Sequence, residues 1–302
     1  MKKKIVSMLA IFMTCALVMI GCSKQPEVIT DREGNEVTLP TKIERIISTA
    51  PSNTEVLVAL GLTDKLVAVD KYSTDIEGID KNIETVDFSN PDAEAIIALE
   101  PDIIIASGHN KTGSSEDPFK LIKEAGIAVV YIPSSDSIEG VYGDIMFISD
   151  ITNNTEKGKM IVEEMKTEVE AIKKIGDAIT DKKKVYFEIA PAPGIFTFGN
   201  KTFLNEMVQL VGAENIFKDQ EGWVSPSEEA VIDANPDIII TNVDYIENPL
   251  DEIKKRDAWE NITAVKENQV YSVSKNPSSR PSQHIIIALK EIAKAVYPSQ
   301  YE

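Results

Sequence analysis

Hydrophobic and polar positions change their period several times along this chain, and each change predicts an element. Residues 5–20 are uncharged and largely apolar, between Lys2-Lys3-Lys4 and the polar Ser23-Lys24-Gln25. A basic start, a short apolar run and a small residue at the junction predict a secretory signal over residues 1–21. The run, about 16 residues, is short for a membrane span of roughly 20. Alternation from Ile29 to Leu39 around Glu33-Gly34-Asn35 predicts a β-hairpin. Arg45–Ser48 and Leu66–Val69 read as short strands. The helix between them opens at Pro51, with Ser52 or Asn53 expected as N-cap and Gly61 as the stop. Pro118–Ala125 reads as a helix and Ile127–Ile132 as a strand.

Two segments carry more weight. Residues 94–107 read as a helix turned by Pro101-Asp102 into a wholly apolar strand, the pattern of a strand buried on both faces. Residues 229–242 repeat that segment 135 positions later, identical at eight of fourteen sites. Two copies of one helix–turn–strand unit imply two lobes of similar fold. Between them, Ile161, Val162, Met165, Val169, Ile172, Ile175 and Ile179 recur at helical spacing, with charged residues filling the other face. A helix over 155–179 would be roughly 38 Å long and could bridge two lobes. Lys184–Ile189 then starts a second α/β unit, and Ser282–Val296 reads as a last helix stopped by Pro298.

Composition narrows the function. The chain has 31 basic and 49 acidic residues, a net charge of −18. Loss of residues 1–21 removes Lys2, Lys3 and Lys4 and leaves 28 basic against 49 acidic side chains, or −21. Such charge argues against nucleic acid and against docking on anionic lipid. Cys15 and Cys22 are the only cysteines. Cleavage removes the first, so neither a disulfide nor a cysteine-held metal is expected. His109 and His284 are the only histidines, too few for an imidazole metal site, which needs about three. No hydrolase, zincin or dinucleotide-binding motif occurs.

The chain resembles the ABC-importer substrate-binding proteins that capture cobalamin, ferric siderophores or haem. The resemblance rests on Arg45-Ile46-Ile47-Ser48, Pro51-Ser52-Asn53-Thr54-Glu55 and Ala59-Leu60-Gly61-Leu62. It continues with Glu94 to Asp102, Gly212-Ala213-Glu214-Asn215-Ile216-Phe217 and Arg280-Pro281. It implies an α/β fold class: two similar α/β lobes joined by one long rigid helix, with the ligand in the cleft between them. The expected organisation is signal peptide 1–21, lipid-anchored tether 22–30, N-terminal lobe 31–138, helical linker 139–181 and C-terminal lobe 182–302. Met19-Ile20-Gly21-Cys22 is similar to a lipobox, although Met19 stands where the family has Leu, and implies acylation of Cys22. A monomer held outside the cytoplasmic membrane by its lipid alone is expected, with permease and ATPase subunits as partners. It is not expected to be an enzyme.

The resemblance also suggests sites. Glu94 and Glu229 open the two repeat copies and correspond to family glutamates that meet arginines of the permease. Tyr72, Phe88, Phe196 and Trp223 correspond to aromatics of cobalamin-binding members. They would supply the flat apolar walls that a large macrocycle needs. His109 follows the buried strand 103–106 and could ligate a haem iron or a corrinoid cobalt, while His284 is expected to have no ligand role. Arg280 is a candidate against an anionic chelate. Arg32, Arg45, Arg256 and Arg280 are the only arginines, which favours a near-neutral ligand such as a corrinoid over haem or a ferric siderophore. Glu55 and Glu206 are expected to be ordinary solvated residues. No resident cofactor is expected, although the ligand can itself carry cobalt or iron.

Overall fold

A computed structural model describes residues 27–87, 89–111 and 116–301. The signal segment, Cys22 and Phe88 lie outside the described residues. The N-terminal lobe runs β1 (Val28–Thr30), β2 (Glu36–Thr38), β3 (Ile46–Ser48), α1 (Pro51–Ala59), β4 (Leu66–Asp70) and β5 (Glu84–Val86). It continues with α2 (Ala93–Ala98), β6 (Ile103–Ser107), α3 (Lys120–Glu124) and β7 (Ala128–Ile132). Two helices follow, α4 (Ile138–Ile151) and α5 (Thr155–Gly176). The C-terminal lobe opens with β8 (Lys184–Glu188), β9 (Thr197–Phe198), α6 (Phe203–Leu210), β10 (Glu214–Asn215), β11 (Trp223–Val224) and α7 (Glu228–Ala234). It closes with β12 (Ile238–Thr241), α8 (Pro249–Lys254), α9 (Thr263–Lys266), β13 (Val270–Ser272), α10 (Lys275–Ser279) and α11 (Ile285–Val296).

Each lobe is built on a parallel sheet. The first has the order β5-β4-β3-β6-β7, the second β10-β8-β12-β13. Their central strands are apolar on both faces because both faces are covered. In the first lobe Ile46, Val69, Ile103 and Ile105 point to one side, and Ile47, Ala68, Ile104 and Ala106 to the other. In the second, Ile238 and Ile240 face one way and Ile239 the other. The outward sets pack under each lobe's own helices. The inward sets of both lobes belong to a single cluster that also takes in Ile145 and Ile148 of α4, Met165 and Ile172 of α5, Met207 of α6 and Leu289 of α11. One apolar core therefore underlies both sheets.

The repeat seen in the sequence is present at the level of individual hydrogen bonds. Asp92 caps α2 by accepting from Ala95 N–H, and Ser227, 135 residues on, caps α7 by accepting from Ala230 N–H. Glu100 and Asn235 both take φ +46° just beyond those helices. Asp102 then accepts from Arg45 N–H, and Asp237 from Lys184 N–H, at 2.8 Å each. Thus the Pro-Asp pair is a local device. The proline ends the turn, and the aspartate ties the new strand to the start of its neighbour in the sheet, β3 or β8.

Three expectations are corrected. Helix α1 begins at Pro51 itself, with Ala50 as a cap that lends no side chain. Proline at the first helical position already supplies the right φ, so neither Ser52 nor Asn53 is needed there. Val28–Thr30 pairs with β2, so this stretch belongs to the lobe rather than to a tether. Within the segment 139–181, α5 falls where the helix over 155–179 is expected, and α4 lies largely buried beside it. The last helix starts at Ile285, after an irregular stretch that runs from Arg280.

Helix α5 has 22 residues, about 33 Å at 1.5 Å each. Its end meets the C-terminal lobe backbone to backbone. A Cβ on Gly176 would sit 2.0 Å from Leu210 O and 2.8 Å from Gly212 N. Helix propensity alone would favour Gly176→Ala by ~1 kcal/mol. Overpacking against backbone costs ~1–3 kcal/mol and has no flexible side chain to absorb it. Urea denaturation of Gly176→Ala should show a net loss of stability; a gain would contradict this contact.

Candidate functional site

A cleft of about 610 Å³ opens between the lobes. Its N-terminal wall comes from the carboxyl ends of strands: Ala50 to Ser52 after β3, Lys71, Tyr72, Thr74 and Asp75 after β4, Ser107 and His109 after β6, and Pro133 with Ser134 after β7. In the order β5-β4-β3-β6-β7 the connections diverge between β3 and β6, which is where an open α/β sheet leaves a crevice. Phe203, Trp223, Asp244, Lys275, Asn276 and Ser279 to Pro281 complete the other wall.

The structure brings together Tyr72, His109, Trp223 and Arg280 in this lining. Tyr72 and Trp223 are 59% and 49% exposed, large for apolar rings, and they stand on opposite lobes. Trp223 stacks on Phe196, with ring centroids 6.1 Å apart and planes at 16°. Phe196 thus backs a lining residue instead of lining the cleft itself. The pairing of β11 with β9 sets Trp223 opposite Phe198, and Phe196, bridged to Ala190, immediately precedes β9. His109 sits in the turn after β6, its N–H donating to Ser107 Oγ at 3.2 Å.

Arg280 lines the cleft and is also engaged by the opposite lobe. Its guanidinium donates to Glu55 Oε1 (3.0 Å), Tyr72 O (2.9 Å) and Asp75 Oδ1 (3.0 Å). Glu55 is only 4% exposed and also accepts from Ser282 Oγ, with His284 Nδ1 3.3 Å away. The expectation of a solvated Glu55 is therefore wrong. A charge at this depth persists only because a partner from a distant part of the chain neutralises it. Glu206 is likewise not free: it accepts from Ile138 N–H at 2.8 Å, across the start of α4. Asp70 is buried at the end of β4 and accepts from Tyr72 N–H and from the Ser73 hydroxyl. Burial raises its carboxyl above the ordinary value, against those hydrogen bonds and the nearby Arg280. Partial burial acts to raise Asp75 as well, but hydrogen bonds from Asn276 and Arg280 outweigh it and hold that carboxyl low.

The remaining cations of the lining are paired too. Lys71 meets Asp87 at 3.3 Å and Lys275 meets Asp244 at 2.7 Å. Elsewhere Arg32 bridges to Asp144, Arg45 donates to the Leu99 and Glu100 carbonyls, and Arg256 pairs with Glu188 and Glu252. All four arginines are thus committed within the fold. Among the described residues no cluster of His, Cys, Asp or Glu could hold a metal ion. Sequence reading missed Lys71, Asp75, Lys275 and Asn276. The available signal was their adjacency to Tyr72 and Arg280.

Glu94 and Glu229 do not enter the cleft lining. Each is exposed in the first turn of its repeat helix, α2 and α7 respectively. Its own backbone N–H, and then the Ser227 hydroxyl, hold the Glu229 carboxyl below its usual range.

Comparison with known proteins agrees with this geometry. Residues 46–277 match the family model described as periplasmic binding protein. The chain is 34% identical over 282 residues to the ABC transporter substrate-binding lipoprotein YvrC of Bacillus subtilis, covering 92% of this chain and 87% of that one. It is 29% identical over 254 residues to a vitamin B12-binding protein of Vibrio campbellii, covering 83% and 88%. A crystal structure of a possible iron-binding periplasmic solute-binding protein from Staphylococcus epidermidis superposes with a TM-score of 0.75 at 32% identity, over 85% of this chain and 100% of that one. Among the described residues no helix is long and apolar enough to cross a membrane. This chain belongs to the periplasmic binding protein family, whose members are the non-enzymatic, extracytoplasmic solute-binding components of ABC importers.

Proposed function

We propose that this protein captures a corrinoid in the interlobe cleft and delivers it to its importer. The observation that carries the reading is the cleft itself: a large, open space flanked by two exposed aromatic rings, with its lysines and arginine already neutralised. At about 30 Å³ per water, 610 Å³ is on the order of twenty waters, far more than a bare ion or small oxyanion needs. Tyr72 and Trp223 offer flat apolar surface from opposite sides. Lys71, Lys275 and Arg280 each have a carboxylate partner, so a strongly anionic chelate would have to displace an existing ion pair. The Vibrio relative, a vitamin B12-binding protein, supports the same reading.

A second reading, capture of haem or a ferric siderophore, is supported by the likeness to the possible iron-binding protein of Staphylococcus epidermidis. His109 is the lining residue suited to ligate iron, or cobalt in the first reading. Under either, Cys22 is the proposed lipid attachment, and Phe88 a further proposed ligand-binding ring. Glu94 and Glu229 are proposed to meet basic pockets on the two like halves of a permease. Their matching positions in the repeat suit a two-subunit partner, and paired carboxylates set orientation as well as attraction.

The purified protein titrated with cyanocobalamin, haemin and a ferric-siderophore panel, followed by tryptophan quenching, should respond to cyanocobalamin most tightly. Saturation by haemin or a siderophore alone would replace the corrinoid reading with the second. Trp223→Ala should weaken the preferred ligand by about three- to tenfold or more, the value of one stacked aromatic contact, and leave thermal stability nearly unchanged. Wild-type affinity would put the site elsewhere.

The docking role has a separate test. Glu94→Ala with Glu229→Ala should bind ligand normally but fail to stimulate ATP hydrolysis by the importer, with the single variants intermediate. Full stimulation by the double variant, or lost ligand affinity, would contradict it.

A further inference from the structure

The loop after β4 presents Tyr72 to the cleft, and its backbone is held from two directions. On the N-terminal side, Asp70 Oδ1 accepts from Tyr72 N–H at 2.8 Å, and Asp70 also takes the Ser73 hydroxyl. Ser73 continues inward to Thr54 Oγ1 at 3.0 Å and so to Ser48 at 2.8 Å, a buried polar chain within the N-terminal lobe. On the other side, the carbonyl of the same Tyr72 accepts from Arg280, which belongs to the C-terminal lobe. The same guanidinium nitrogen reaches both oxygens of Asp75, three residues further along the loop, at 3.0 and 3.2 Å. Asn276, beside Arg280 on that lobe, donates to Asp75 Oδ2 at 2.9 Å. The other terminal nitrogen, Nη1, is fixed by the buried Glu55.

This arrangement differs from an ordinary surface ion pair. Arg280 is 12% exposed at its side chain and Glu55 4%, so water does not compete well for either. The planar fork lets one side chain serve three acceptor groups in fixed relative geometry, which a lysine cannot do. The Tyr72 ring stays 59% exposed while its backbone is clamped. An exposed aromatic on a rigid backbone loses little conformational freedom when a ligand stacks on it.

We infer that Arg280 is a positioning residue: from the C-terminal lobe it holds the Tyr72 loop of the N-terminal lobe in its ligand-facing geometry. Parting the lobes then has two effects at once. It widens the cleft, and it withdraws the donor that fixes Tyr72 and Asp75, so one wall loses its rigidity as the space opens. Cleft opening and loss of affinity are coupled through a single guanidinium. The ligand-facing part of this inference rests on the corrinoid reading above; the positioning part does not.

Hydrogen exchange separates the two. Amides 72–76 should exchange at least tenfold faster in Arg280→Met than in the parent protein, while amides of β3 and β8 keep their protection. Arg280→Lys, which retains the charge but not the fork, should restore part of the protection. Asp75→Asn leaves the Glu55 contact in place and should accelerate the same amides by a smaller factor, which keeps the test available if Arg280→Met does not fold. Cyanocobalamin affinity should fall in the same order as protection. Unchanged exchange at 72–76, or acceleration spread evenly over the whole chain, would overturn the inference. So would accelerated exchange at 72–76 with wild-type cyanocobalamin affinity. A parent protein that binds no cyanocobalamin would remove the corrinoid reading and leave the exchange result to decide the positioning role.

Discussion

The apolar core shared by both lobes is the constraint on which the rest of the molecule depends. Inward side chains of two separate sheets meet in one cluster with α4, α5, α6 and α11. Full burial of one Leu or Ile side chain contributes ~1.5–3 kcal/mol. Micromolar ligand binding releases ~8 kcal/mol. Re-exposing about four such side chains would therefore consume the whole affinity. Wide clamping of the lobes is thermodynamically closed to this architecture, and the cleft has to exist before the ligand arrives. Helix α5 is the visible part of that constraint, but the contacts along its buried face carry it.

On top of this apolar base sits a polar seam of a different kind. Glu55, Asp75 and the Tyr72 carbonyl meet Arg280, Asn276, Ser282 and Gln283 across the cleft floor. A buried ion pair gains little net stability once desolvation is counted, whereas loss of one partner leaves an uncompensated charge. The seam therefore sets register more than strength. It fixes how the two walls face one another while the core fixes how far apart they stand. Each arginine is spent on internal geometry, and the lysines and arginine of the cleft lining each face a carboxylate.

Much of this was legible in the sequence because it is local. Glu-Ala…Pro-Asp-Ile-Ile-Ile specifies a cap, a turn and a doubly buried strand within fourteen residues, and its second copy announces the second lobe. The backbone conformation at Glu100 and Asn235 and the aspartate ties at 102 and 237 follow from that short string. Glu55 could not be read correctly, because its partners lie more than 220 residues away. Helix α4 was absorbed into the linker because Ile, Val, Tyr, Met and Phe cover most of its surface and leave no polar stripe to give a period. Among the aromatics that the resemblance suggested, Tyr72 and Trp223 line the cleft. The neighbouring Lys71, Asp75 and Lys275 were not found, since a charged loop residue looks the same whether it lines a cleft or faces bulk water.

Differential scanning calorimetry of the ligand-free protein tests the shared core most directly. If both lobes and α5 unfold as one body, a single transition should appear, with calorimetric and van't Hoff enthalpies equal within error. Two resolved transitions, or a van't Hoff enthalpy near half the calorimetric value, would mean that the lobes melt independently, and would contradict the account of a preformed, rigidly held cleft.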